Sequence, residues 1–270
     1  MEKQTYKLWE NGTPYFEPSY RQPETTVTFY PASVTKPTGC VIVFPGGGYS
    51  IRAEHEGKDI CEMLNANGFH AFVLNYRLAP YKHPAELTDA LRSIRFVRHN
   101  ADKFGIKKDK IAILGFSAGG HLAITAAEHF DYGLGKDAKD EIDRESSRPD
   151  GAVFCYAVST MVGEYSHEGS RINITGEREE GELAHLLSGE ENVRADMPPV
   201  FIWHTFEDTC VPVENALMLA GALRKKRVPV EMHIFPTGEH GLGLAPSVPH
   251  TAQWSELLCR WLEFYDFRGN

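Results

Sequence analysis

Ile111-Ala112-Ile113-Leu114-Gly115-Phe116-Ser117-Ala118-Gly119-Gly120-His121 is the stretch whose reading decides the fold. An apolar, β-branched run leads into a serine with glycine at both second neighbours, and an alanine-rich segment from Gly120 to His129 follows. Strand, G-x-S-x-G, helix is the context of a sharp strand-to-helix turn that holds a serine hydroxyl clear of its sheet. Small residues are needed there because the backbone is strained and larger neighbours would collide with strand or helix.

Outward from Ser117, strands and helices alternate. Thr26 to Tyr30, Cys40 to Phe44, His70 to Tyr76, Ile111 to Gly115, Ala152 to Tyr156, Val200 to His204 and Val230 to Phe235 read as strands. Most are continuous apolar runs, the pattern of strands covered on both faces. Helices are expected over Glu56 to Asn67, along the stripe Leu87, Leu91, Ile94, Val97, Ala101 and Phe104, over Glu214 to Arg227, and over Ala252 to Phe267;. This order predicts an α/β fold, a doubly wound, mostly parallel sheet with helices on both faces. The 270 residues suit one such domain, 1–270;. Asp131 to Pro149 is charged and reads as a surface excursion. Residues 160–199 are too long and glycine-rich for an ordinary connection, and read as a small cap or substrate-loop insertion;.

A serine hydroxyl needs a base to take its proton and a carboxylate to orient that base. On this fold the order is serine, acid, histidine, with the acid after a late strand and the histidine after the last. Val200 to His204 runs into Thr205-Phe206-Glu207-Asp208-Thr209, and Val230 to Phe235 runs into Pro236-Thr237-Gly238-Glu239-His240-Gly241. Ser117, Asp208 and His240 are the catalytic candidates, with Glu207 the competing acid. An oxyanion also needs preorganised N–H donors. The amide of Ala118 is one candidate; Gly47 and Gly48, in the Pro45-Gly46-Gly47-Gly48-Tyr49 loop after Cys40 to Phe44, are the others. Tyr49, Arg171 and Asn173 are candidate substrate contacts, as is His167, while Trp203 reads as core. Glu54-His55-Glu56 reads as a solvated helix start, since adjacent helical residues do not face one site.

The P-G-G-G-Y loop, Asn75-Tyr76-Arg77-Leu78-Ala79-Pro80, Gly115 to His121, and the Trp203-His204 to Val211-Pro212 segment together resemble the α/β-hydrolase esterases, above all the acetyl and acetylxylan esterase-like carbohydrate esterases. The resemblance runs from Leu8 to His240. It implies a serine carboxylic ester hydrolase that removes acetyl or other short acyl groups from carbohydrates such as xylo-oligosaccharides. A serine peptidase of the prolyl-oligopeptidase type is the alternative. Pro45 stands where lipase-like relatives of that superfamily carry the histidine of H-G-G-G, which favours the carbohydrate-esterase branch.

The remaining expectations follow from composition. There are 28 basic and 37 acidic residues, for a net charge of −9, which argues against nucleic-acid and anionic-membrane partners;. The partner expected is a small-molecule or oligosaccharide ester. The sequence leaves oligomeric state open. No metal or cofactor is expected: the glycine loop lacks the phosphate-cradling spacings, and no Cys/His zinc spacing occurs;. Cys40, Cys61, Cys155, Cys210 and Cys259 are scattered and odd in number, as buried thiols of a reducing compartment are;. Met1 to Glu10 has no apolar signal-peptide core, so the expected location is cytoplasmic, or secreted if a leader was removed.

Overall fold

The computed structural model describes residues 2–268. Its framework is an eight-stranded sheet: β1 (Gln4–Lys7), β2 (Thr26–Tyr30), β3 (Thr38–Phe44), β4 (His70–Asn75), β5 (Ile106–Phe116), β6 (Gly151–Cys155), β7 (Val200–Thr205) and β8 (Val230–Phe235). The spatial order is β1-β2-β4-β3-β5-β6-β7-β8. β1 and β2 pair antiparallel, β2 pairs antiparallel with β4, and every other neighbour is parallel.

The helices are α1 (Lys58–Ala66), α2 (Ala85–His99), α3 (Ala101–Phe104), α4 (Ser117–Glu128), α5 (Glu168–Thr175), α6 (Glu182–Leu186), α7 (Gly189–Asn192), α8 (Glu214–Lys225), α9 (Pro249–Ala252) and α10 (Trp254–Phe264). Two buried layers follow from the period of two in the strands. Ile42, Ile113, Phe154 and Ile202 face α2, α4 and α8, joined there by Ile94, Val97, Leu122 and Leu219. Their neighbours Val41, Val43, Leu114, Val153, Phe201 and Trp203 face α1 and α10, against Ile60, Leu64, Leu258 and Trp261. Trp203 is fully buried and stacks on Trp254 with ring centroids 4.8 Å apart. Truncating either ring would cost about 3–5 kcal/mol. This is an α/β-hydrolase fold: a doubly wound, mostly parallel sheet sandwiched by helices.

The chain passes from β3 outward to β4, then crosses back over β3 to β5. The carboxyl ends of β3 and β5 are therefore adjacent at the point where the strand order reverses, the place where ligands bind open α/β sheets. β3 ends in the glycine loop and β5 ends at Ser117.

Three local features go beyond the reading of the sequence. The edge strand β1 is polar and largely exposed, so it carries no apolar signal. β5 starts at Ile106, five residues before its apolar run, because the Lys-Lys-Asp-Lys segment continues the strand beside the register shift between Thr38 and Cys40. The charged stretch 131–149 is no free excursion. With Asp150 it covers the buried arginines of α2: Arg92 pairs with Asp140 (2.5 Å) and Asp143 (2.6 Å), Arg95 with Asp131, and Arg98 with Asp150 (2.7 Å). Buried guanidinium groups must be paired and hydrogen-bonded, and this segment supplies the carboxylates.

Candidate active site

Ser117 stands between β5 and α4 with φ +52°, a left-handed conformation that a non-glycine residue adopts only when its surroundings force it;. The flanking glycines show why. A Cβ on Gly115 would lie 2.1 Å from the carbonyl oxygen of Gly119, and one on Gly119 would lie 2.1 Å from that of Phe44. Strand β3, strand β5 and helix α4 thus touch backbone to backbone around the serine.

The loops after β7 and β8 bring the acid and the histidine to it. His240 Nε2 lies 2.8 Å from Ser117 Oγ, and His240 Nδ1 lies 2.7 Å from Asp208 Oδ2. Asp208 Oδ1 accepts the backbone N–H groups of Cys210 (3.0 Å) and Val211 (2.9 Å). Since the carboxylate accepts from Nδ1–H, Nε2 is left as the acceptor for the serine hydroxyl. Burial pushes the Asp208 carboxyl up, but hydrogen bonds from His204 and His240, the positive charge His240 can carry, and the Val211 amide outweigh it. The net effect is to hold Asp208 well below the usual carboxylate range;. His204, on β7, was not singled out from the sequence. Its Nε2 donates to Val211 O at 2.8 Å and lies 3.4 Å from Asp208 Oδ2, which fixes the turn carrying Asp208. Glu207 points away and accepts the N–H of Gly238 at 3.0 Å.

The glycine loop reaches the serine from β3. Gly47 and Gly48 have φ +125° and +61°, and among the described residues neither N–H has a protein acceptor, nor has that of Ala118 in the open first turn of α4;. Gly46 differs: its N–H donates to Glu56 Oε2 at 2.7 Å. Of the three glycines, only Gly47 and Gly48 keep N–H groups free for a ligand.

The expected substrate contacts are engaged within the protein. Tyr49 is 1% exposed, with its hydroxyl 2.6 Å from His121 Nδ1. His121 Nε2 in turn donates to Leu187 O at 2.7 Å, and burial pushes the imidazole down to about 4, so it stays neutral. Tyr49 therefore ties the glycine loop to α4 and to the segment after α6. Arg171 is buried and donates to Arg178 O at 2.8 Å within the insertion. Asn173 donates to Gly48 O at 2.7 Å, which makes it a brace for the glycine loop. His167 caps α5, its Nδ1 accepting the Ser170 N–H at 3.1 Å. Three of the four, His167, Arg171 and Asn173, lie in the glycine-rich segment 160–199, where the sequence gives no measure of exposure. That segment, 160–199, carries the short helices α5, α6 and α7.

Glu54-His55-Glu56 is only partly the solvated turn expected. Glu56 is 2% exposed, and its carboxylate takes the Gly46 N–H and the Tyr156 hydroxyl, the latter at 2.6 Å. Among the described residues no His/Cys/Asp/Glu group is arranged to hold a metal ion. Cys40, Cys61, Cys155 and Cys259 are buried and Cys210 is exposed. No helix of the described residues is long and apolar enough to cross a membrane.

The sequence profile of the BD-FAE family matches residues 28–223. The chain belongs to the BD-FAE family. The BD-FAE match takes in the glycine loop, Ser117 and Asp208, while His240 lies beyond it. A crystal structure of an acetyl ester-xyloside bifunctional hydrolase from Caldicellulosiruptor lactoaceticus is 46% identical, with a TM-score of 0.94, over 98% of this chain and 97% of that one. Endo-1,4-beta-xylanase B of Butyrivibrio fibrisolvens is 40% identical over 210 residues, 76% of this chain and 33% of that protein. An acetylxylan esterase of Xylanibacter ruminicola is 31% identical over 233 residues, 84% of this chain and 46% of that protein. The chain spans a third to a half of the length of these two relatives.

Proposed function

We propose that this BD-FAE chain is a serine carboxylic ester hydrolase that removes acetyl or similar short acyl groups from carbohydrates such as xylo-oligosaccharides. The observation that carries the reading is the pair of contacts in series, 2.8 Å from Ser117 Oγ to His240 Nε2 and 2.7 Å from His240 Nδ1 to Asp208 Oδ2. The names of the relatives supply the substrate class.

In this reading Ser117 Oγ attacks the acyl carbonyl carbon while its proton passes to His240 Nε2. The carbonyl π electrons move to oxygen, and the oxyanion is met by the N–H groups of Gly47, Gly48 and Ala118. The tetrahedral adduct collapses, the bond from acyl carbon to sugar oxygen breaks, and His240 returns its proton to that oxygen. Water then adds to the acyl-enzyme and gives a proton to His240. A second collapse expels Ser117 Oγ, which takes that proton, and releases acetate. Asp208 holds the productive tautomer throughout. The small insertion 160–199, beside this site through Asn173 and Leu187, is where discrimination between alcohols belongs.

Ser117→Ala and His240→Ala should each lower turnover of p-nitrophenyl acetate about a million-fold, as for the corresponding residues of subtilisin. A fluorophosphonate probe should label wild type and not Ser117→Ala. Near-full activity of Ser117→Ala would overturn the reading. Faster cleavage of peptide amides than of acetylated xylo-oligosaccharides would replace it with the peptidase alternative.

A further inference from the structure

Behind the glycine loop lies a buried carboxylate that acyl transfer does not use. Glu56 is 2% exposed, and both its oxygens have donors: Oε2 accepts the Gly46 N–H at 2.7 Å and Oε1 the Tyr156 hydroxyl at 2.6 Å. Burying a carboxylate is costly unless such donors are present, so a position like this is kept for what it holds in place. The contact is built into the loop, since a Cβ on Gly46 would itself lie 2.7 Å from Glu56 Oε2.

Tyr156 continues the chain of bonds. It follows β6 with φ +35°, a conformation that an aromatic residue adopts only under constraint;. Its hydroxyl, which donates to Glu56, also accepts the Gly243 N–H at 2.9 Å. Its ring packs edge-on against His240, centroid to centroid 5.0 Å, and against Trp203 at the same distance. Two further ties fix the same loop. His55 Nε2 donates to Gly241 O at 2.8 Å, and Trp254 Nε1 donates to Gly243 O at 3.1 Å. The turn 54–56 therefore grips the glycine loop on one side and the loop after His240 on the other.

We propose that Glu56 and Tyr156 are positioning residues that set the oxyanion-binding glycine loop and the His240 loop in register with one another across Ser117. Through Glu56 the Gly46 amide is held back from the oxyanion, which turns the next two amides of the loop forward. Through Tyr156 the loop that carries His240 is held at the distance that places Nε2 against Ser117. The inference rests on the reading of Ser117 and His240 as nucleophile and base.

The chemistry of the link makes the test specific. In Glu56→Gln the amide oxygen can keep the Gly46 N–H only by turning NH2 toward Tyr156, whose hydroxyl already accepts the Gly243 N–H, so the charge-assisted bond donated by Tyr156 is lost;. Tyr156→Phe keeps the ring against His240 and removes only the bridging hydroxyl. Four variants of the full chain, Glu56→Gln, Tyr156→Phe, the double variant and Ser117→Ala, are compared by kcat and KM on p-nitrophenyl acetate and by inhibition with phenylboronic acid, whose tetrahedral serine adduct mimics the oxyanion. Fluorophosphonate titration counts the competent sites. Each single variant should lose about 10–100-fold in kcat per titrated site, less than the 100–1,000-fold of deleting an oxyanion donor outright, with KM within about threefold. Boronate affinity should fall in step with kcat, and the double variant should lose little more than the worse single, because both act through one link. If the singles keep kcat within about twofold per titrated site, or if the double loss is the product of the single losses, the proposal is overturned. Should Glu56→Gln not fold, Tyr156→Phe decides by the same kcat and boronate measurements. An active Ser117→Ala would sink the underlying reading instead, whereas an inactive Ser117→Ala beside unaltered Glu56→Gln and Tyr156→Phe would sink this inference alone.

Discussion

Asp208→Asn exchanges one oxygen for an NH2 group and leaves the volume unchanged, and the surrounding donors dictate which way the new amide turns. Oδ1 accepts two backbone N–H groups, from Cys210 at 3.0 Å and Val211 at 2.9 Å, while Oδ2 faces His240 Nδ1 at 2.7 Å. With its oxygen toward the backbone, the amide points NH2 at Nδ1. Nδ1 must then accept, the proton moves to Nε2, and His240 can no longer take the proton of Ser117. The flipped amide restores the tautomer but sets NH2 against two N–H donors. That leaves two backbone donors, one buried and one part-buried, facing another donor at about 1–3 kcal/mol each, roughly 2–6 kcal/mol in total;. At 1.4 kcal/mol per decade the productive arrangement is populated about 30- to 20,000-fold less, a range that takes in the roughly 10,000-fold loss known for the wrong tautomer in a Ser-His-Asp triad. The assay is steady-state hydrolysis of p-nitrophenyl acetate between pH 5 and 10, with circular dichroism to establish that the variant is folded. A folded Asp208→Asn that keeps a tenth or more of wild-type kcat at pH 7 would refute the reasoning.

Glu86, on α2, is fully buried with both carboxyl oxygens unpaired, and burial lifts its carboxyl to about 8. A raised carboxyl binds its proton in the fold more tightly than in the unfolded chain, so stability falls as pH rises from its unfolded value toward 8, by up to about 5 kcal/mol; Glu86→Gln should therefore gain in urea midpoint over wild type at pH 8.5 and much less at pH 5. Gly119→Ala forces a Cβ to 2.1 Å from Phe44 O and 2.5 Å from Pro45 O, both backbone, and should lose about 3 kcal/mol or more in chemical denaturation together with most fluorophosphonate labelling;. Arg92→Ala leaves the Asp140 and Asp143 carboxylates without their guanidinium; because water reaches Asp140, which is about a third exposed, the cost should be about 1–3 kcal/mol of stability, while kcat per labelled site stays unchanged;.

Legibility in the sequence tracked the kind of information a residue carries. Ser117 announced itself because a left-handed residue between backbones in contact demands glycine at 115 and 119, and glycine is visible as a letter. The strands of the parallel core were legible because burial on both faces leaves an unbroken apolar run, as in Val200 to Trp203. Asp208 and His240 were reachable through the order of strands. The edge strand β1 was not, since Gln4–Lys7 is polar and faces mostly water. Nor were the roles of Glu56, Arg92, Arg95 and Arg98, because a charged letter reads as surface until its partner is known. Those partners stand far along the chain: Tyr156 for Glu56, and residues 131–150 for the arginines.

Tyr49 and Asn173 have roles of the same kind, set by partners distant in the chain. On the proposed reading the glycine loop offers two N–H groups to one oxygen, so it cannot also hold itself rigid through those groups. It has to be braced through its carbonyls and side chains from outside. Here the braces are Asn173 on Gly48 O, Tyr76 on Pro45 O at 2.5 Å, Glu56 on the Gly46 N–H, and Tyr49 on His121. They come from α5, from the end of β4, from the turn before α1 and from α4, so each layer of the fold contributes one. Tyr49, Glu56, Tyr76 and Asn173 thus hold the glycine loop from outside, which leaves the Gly47 and Gly48 N–H groups without a protein acceptor among the described residues.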